Sequence, residues 1–112
     1  MQYGERRWVE MRAMVDKVVV LPLGSLEQHG HHLPMLTDSL ICGEIIRRAE
    51  AELGDLALFL PLIWVGASEH HSRFAGTVSV SQETYTRMLD EILESLIAHG
   101  FKRIVLLNAH GG

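Results

Sequence analysis

With 112 residues, 47% of them hydrophobic and 21% charged, the chain has the length of one globular domain with a single core, burying about 65% of its unfolded surface. Its net charge of −4 comes with no basic cluster beyond the pairs Arg6-Arg7, Arg47-Arg48 and Lys102-Arg103, which lacks a phosphate-backbone footprint and excludes nucleic acid as a partner. Cys42 alone rules out an internal disulfide, the start MQYGERRWVE is too polar for a leader, and no apolar run reaches the roughly 18 residues of a membrane helix, so a cytoplasmic protein with no membrane partner is expected.

In chain order, ERRWVEMRAMV (residues 5–15) predicts a helix. KVVVLPLG, Lys17 to Gly24, is a β-branched run stopped by Pro22 and Gly24, as in a strand buried on both faces. From Ser39 to Leu53, the apolar residues Leu40, Ile41, Ile45, Ile46, Ala49 and Leu53 recur at helical spacing and Gly54 stands where a C-cap belongs. Cys42, inside that helix, reads as a small buried hydrophobe and not a nucleophile. DLALFLPLIWVG, Asp55 to Gly66, predicts a second strand in which Phe59 and Trp64 belong to the core. Ser81 can cap a second long helix reaching His99, with Glu83 in its first turn and Gly100 at its end. Tyr85, Met88, Leu89, Ile92, Leu93, Leu96 and Ile97 form its apolar stripe, with Glu91 and Glu94 on the solvated face. FKRIVLLNAHGG, Phe101 to Gly112, gives a third strand. Strand, helix, strand, helix, strand predicts an α/β fold, a mainly parallel sheet flanked by helices.

That order places three polar clusters beyond the carboxyl ends of the strands, where open α/β sheets bind ligands. GSLEQHGHHLPMLTD contributes Glu27, His29, His31, His32 and Asp38; GASEHHSRFAGT contributes Ser68, Glu69, His70 and His71; NAHGG contributes Asn108 and His110. Glu27 and His29, two apart in extended chain, can point the same way, and Asp38 sits near a helix start. Imidazole with carboxylate suits zinc, manganese or iron better than calcium or magnesium, and the absence of thiolates points to an open catalytic site over a closed structural one. The competing reading is that these histidines gather at the surface without a ligand, or cap turns.

The stretches LPLGSLEQHGHHLPMLTD, GASEHHSRFAGT and HGFKRIVLLNAHGG resemble the three ordered motifs of the creatininase (creatinine amidohydrolase) family, over Val18 to Gly112. The resemblance implies a layered creatininase-like domain spanning 1–112. It also implies two divalent cations, zinc first, with manganese or iron as alternatives. By position, Glu27, Asp38 and His110 match the ligands of one cation, and His29 with the shared Asp38 those of the other. Ser68 and His71 match substrate-binding positions; His32 and His70 are weaker candidates for the same surroundings. The implied reaction is hydrolysis of a non-peptide C–N bond, in a cyclic amide or formamide, by a metal-bound hydroxide acting on a small-molecule substrate in a homo-oligomer.

This chain departs from the family at three positions. Gly112 stands where creatininase itself has a glutamate ligand, His31 replaces a proline of the first motif, and Ala75 replaces the proline before Gly-Thr. Family members continue past N-x-H-G-G, so the domain is expected to be incomplete at its C-terminus, with the general acid beyond Gly112. The alternative is a non-catalytic metal-binding or assembly module, a truncated paralogue.

Overall fold

The computed structural model of the protein describes residues Met1–Gly112. At its centre lies β1, Val18–Leu23, flanked by β2, Ala57–Phe59, and β3, Arg103–Asn108, in the order β2-β1-β3. Both neighbours run parallel to β1, which pairs Val18 with Ala57 on one side and with Arg103 on the other. This is the mainly parallel α/β sheet that the alternating pattern predicts. Side chains alternate across a strand, and β1 uses both faces. Val19 packs with Leu58, Leu96 and Phe101, whereas Val20 packs with Ile46, Ala57 and Phe59. One face is therefore covered by α2, Thr37–Leu53, and the other by α3, Gln82–Ala98.

The second strand is shorter than its apolar run. Leu60 N still donates to Val20 O at 2.9 Å, but regular pairing stops there and resumes only as a lone bridge between Leu23 and Ile63, where Ile63 N donates to Pro22 O at 2.9 Å. The register has moved by one residue, from an offset of 39 at Val20–Phe59 (59 − 20) to 40 at Leu23–Ile63 (63 − 23). Phe59 is in the core as expected, but Trp64, beyond the slip, is 49% exposed and not a core residue.

The predicted N-terminal helix is broken into three short pieces, Tyr3–Glu5, Trp8–Met11 (α1) and Arg12–Met14. One turn is held by the Glu10 carboxylate accepting from the Arg7 backbone N–H at 2.8 Å. Packing of Tyr3, Met11, Met14 and Val15 against the Val19 cluster decides its path, while Trp8 points outward.

Helix α2 begins two residues earlier than its apolar spacing suggests and buries a narrower stripe. Only Ser39, Cys42 and Ile46 are buried, at i, i+3 and i+7, whereas Leu40, Ile41, Ile45 and Leu53 remain exposed. A three-stranded sheet covers one line of side chains. Helix α3 follows its expectation more closely. Ser81 Oγ accepts from Thr84 N at 3.1 Å, Gly100 ends it at φ +98°, and Leu96 is buried with Ile92 packed beside it. Glu91 and Glu94 are exposed. Strand β3 is an edge strand with Val105 and Leu106 exposed, so it is less buried than its apolar run implies. No helix is long and apolar enough to cross a membrane.

The junction between β1 and α2 is tight. A Cβ on Gly24 would stand 2.2 Å from Ser39 Oγ and 2.9 Å from Ser39 Cα. Ser39 Oγ at the same time accepts from Ser25 N at 3.0 Å and donates to Ser25 O at 2.8 Å. Gly24→Ala must push α2 off the strand and break this pair, so we expect a stability loss of about 1–3 kcal/mol, read as a lowered urea midpoint.

Candidate metal centre

Three segments leave the carboxyl ends of the strands and are laced together by hydrogen bonds from backbone N–H groups. Val78 N donates to Leu26 O at 2.9 Å, Gln28 N to Thr77 Oγ1 at 3.1 Å, and Ala109 N to Leu23 O at 3.0 Å. Within the second segment, Ser68 N donates to Ser79 Oγ at 2.7 Å and Val80 N to Gly66 O at 3.2 Å. The F-A-G-T stretch thus clasps the first loop, which fixes Glu27 against residues distant in sequence.

Two histidine–carboxylate pairs meet there. His110 Nε2 lies 2.9 Å from Glu27 Oε2, with Ser68 Oγ 3.5 Å from the same nitrogen. Glu27, Ser68 and His110 are all buried. The second pair is His29 Nε2 and Asp38 Oδ1 at 3.1 Å, while Asp38 Oδ2 accepts from Ser25 Oγ at 2.9 Å. His71 Nε2 approaches the other Glu27 oxygen, Oε1, at 3.9 Å. The ligand atoms of Glu27, His29 and Asp38 lie within 4.8 Å of one another, as do those of Glu27, His70 and His71, so both groups share Glu27. His110 joins through that same carboxylate.

These residues fit divalent cations. Two ligands of a tetrahedral zinc, each about 2.05 Å from the ion, stand about 3.3 Å apart, and the pairs at 3.1 and 2.9 Å are within a few tenths of that spacing. The donors are nitrogen and oxygen only. Cys42 lies elsewhere, buried beside the Leu107 carbonyl, and burial pushes its thiol pKa up, so it offers neither thiolate ligand nor nucleophile. Gly66 completes the fit: a Cβ there would stand 2.8 Å from His110 Nδ1.

His29 is held in a defined tautomer. Its Nδ1–H donates to the Glu27 carbonyl at 3.1 Å, which leaves the Nε2 lone pair facing Asp38. The Glu27 carbonyl, and then the carboxylates of Asp38 and Glu27, raise the His29 pKa against the opposing effect of burial. A raised folded-state pKa gives the apoprotein stability that is present below the unfolded value of about 6.5 and lost as pH rises through the folded value. Cation binding has the opposite sign, because a proton on Nε2 must leave first. Zinc affinity should therefore begin to fall while pH is still above about 6.5, by about tenfold per pH unit for this one proton, as competition titrations with a chromogenic chelator would show.

Of the residues singled out in the sequence, Glu27, His29, Asp38, Ser68, His71 and His110 come together. His70 lies at the rim, its ring centroid 4.1 Å from that of His71. His31, His32 and Glu69 are exposed and outside the cluster. Asn108 supports it by accepting from the His110 backbone N–H at 3.0 Å. Ser25, Gln28 and Ser39 were not singled out, although Ser25 and Gln28 flank Glu27 in the first motif.

The family model described as creatinine amidohydrolase matches residues 4–112. The creatinine amidohydrolase of Pseudomonas putida is 36% identical over 96% of this chain and 44% of its own length. The mycofactocin precursor peptide peptidase of Mycobacterium tuberculosis is 43% identical over 84% of this chain and 40% of its own. A crystal structure of creatininase superposes with TM-score 0.86 and 38% identity, over 97% of this chain and 44% of that one. Solved creatininases that match at TM-score 0.85 include a Zn–Zn form of a variant and a manganese form. The chain thus spans less than half the length of these relatives, yet the match takes in all three loops of the site. The chain belongs to the creatininase family.

Proposed function

We propose that the protein is a metal-dependent amidohydrolase that uses two divalent cations to hydrolyse a non-peptide C–N bond, in a cyclic amide or formamide, of a small-molecule substrate. The observation that carries this reading is the convergence of two histidine–carboxylate pairs, His29–Asp38 and His110–Glu27, on one edge of a parallel sheet. In it Glu27, Asp38 and His110 hold one cation and His29 with the shared Asp38 the other. Zinc is the first choice and manganese or iron the alternatives, supported by the Zn–Zn and manganese forms of related creatininases. Cations in these positions lower the pKa of water toward neutrality and polarise a carbonyl.

The chain's own groups do the rest of the positioning. The Ser25 hydroxyl holds Asp38 Oδ2 and so turns Oδ1 toward His29. Glu27 and His110 form the closed, dry end, where low dielectric strengthens every charge interaction. His29 and His71 are only half-buried and form the open end. The exposed apolar residues Leu40, Ile41 and Ile45 support self-association as part of the proposal, in a cytoplasmic homo-oligomer.

Metal content per chain is the test. After zinc loading and desalting, elemental analysis should give two zinc per chain. One weakly held ion or none would instead support a non-catalytic metal-binding or assembly module.

A further inference from the structure

The Gln28 side chain lies between two polar groups whose roles can be worked out in turn. The Gly30 backbone N–H can only donate, and it reaches Gln28 Oε1 at 3.0 Å. That contact fixes which end of the amide is oxygen. The other end, Nε2, is a donor, and it lies 2.8 Å from His71 Nδ1. Nδ1 must therefore present its lone pair, and in the neutral ring the proton belongs to Nε2. Nε2 faces Glu27 Oε1 at 3.9 Å, too long for a direct hydrogen bond.

We infer that Gln28 is a positioning residue that locks His71 as an Nε2–H donor at the open end of the site, aimed at the carbonyl oxygen of the bound amide. The inference rests on the amidohydrolase reading proposed above. It separates two histidines that look alike in sequence. The Glu27 carbonyl takes the Nδ1 proton of His29 and frees its Nε2 for a cation, whereas the Gln28 amide occupies Nδ1 of His71 and keeps its Nε2 protonated. Although His71 shares a potential ligand group with Glu27 and His70, its Nε2 is then committed to donating. Its 3.9 Å separation from Glu27 leaves the N–H available to an incoming acceptor, and His71 is partly open to solvent.

The test is imidazole nitrogen NMR on histidine-labelled protein at about pH 8, above the ordinary imidazole value of about 6.5. His71 should show a lone-pair Nδ1 and a protonated Nε2, both unchanged by saturating zinc, while His29 Nε2 changes to a coordinated nitrogen. Gln28→Glu keeps an acceptor for Gly30 but replaces the donor facing His71 with an acceptor, so the two His71 signals should exchange character. Formamide, added as the minimal amide, should shift the His71 Nε2 signal in the zinc-loaded wild type and leave it unmoved in Gln28→Glu. Should Gln28→Glu fail to fold, Gln28→Met must give a mixture of His71 tautomers, and a pure Nε2–H ring in that variant would overturn the assignment. A lone-pair Nε2 in the wild type, zinc coordination by His71, or a signal indifferent to formamide would overturn it as well. Failure of the metal reading would appear separately, as a His29 signal that zinc does not change.

Discussion

Asp38→Ala should empty both cation positions, leaving less than a tenth of the wild-type zinc after desalting, whereas His29→Ala should keep about half of it. The difference follows from what each side chain can reach. Asp38 presents Oδ1 to His29 and has its second oxygen held by the Ser25 hydroxyl, and in the proposed pair of cations it is the group assigned to both. His29 offers one lone pair, because its other nitrogen donates to the Glu27 carbonyl. Losing even an outer partner of a ligand costs an ion roughly 10–100-fold in affinity, so losing a ligand costs its ion at least that, and loss of a shared carboxylate costs both. Elemental analysis of the two variants decides the matter: equal residual zinc would remove Asp38 from its shared role.

If the proposed hydrolysis is right, then in a protein that also carries the segment expected to follow Gly112, chelation should abolish turnover, zinc or manganese should restore it, and Cys42→Ala should be nearly silent. In the proposed mechanism a cation that generates the nucleophile would be indispensable, and without it the rate should fall by several orders of magnitude. Cys42 lacks what a nucleophile requires. It is fully buried, its pKa is pushed up by that burial, and it lies on the α2 face of the sheet beside Leu107, away from the carboxylates. Turnover of an amide or formamide that survives complete metal removal would sink the mechanism.

Much of the site is legible in the sequence because its candidate ligands lie in short loops after apolar strands, and parallel pairing brings successive loops to one edge. Glu27, His29, Ser68, His71 and His110 come together for that reason alone. His31 and His32 have the same chemistry and loop but face solvent, since the turn at Gly30, with φ +75°, carries the chain outward after His29. Spacing does not show where a loop turns away. Trp64 reads as core because its apolar run is unbroken in composition. A one-residue slip of register between Phe59 and Ile63 precedes the tryptophan, which lies exposed beyond it. On α2 the apolar pattern overstates burial, because it cannot tell how many strands lie beneath the helix. The contacts of Ser25 with Asp38 and of Gln28 with His71 are not readable at all: serine and glutamine are common in loops, and only the fold brings their partners within reach.

Asp38 is also the second residue of α2, a helix whose N-cap position is Leu36 and has no side-chain bond to its first amides. Its first turn is fastened instead by Ser39, whose hydroxyl exchanges two bonds with Ser25, and by the Asp38 carboxylate, which accepts from the Ser25 hydroxyl. An ion held between Asp38 and the loop ligands binds the folded turn and not the frayed one, so its free energy of binding adds to the helix, about 2.7 kcal/mol at a concentration one hundred times the Kd. On the proposed reading, filling the centre would be linked to the first turn of α2, and depletion of the ion would remove that added stability from the segment that carries its own ligand.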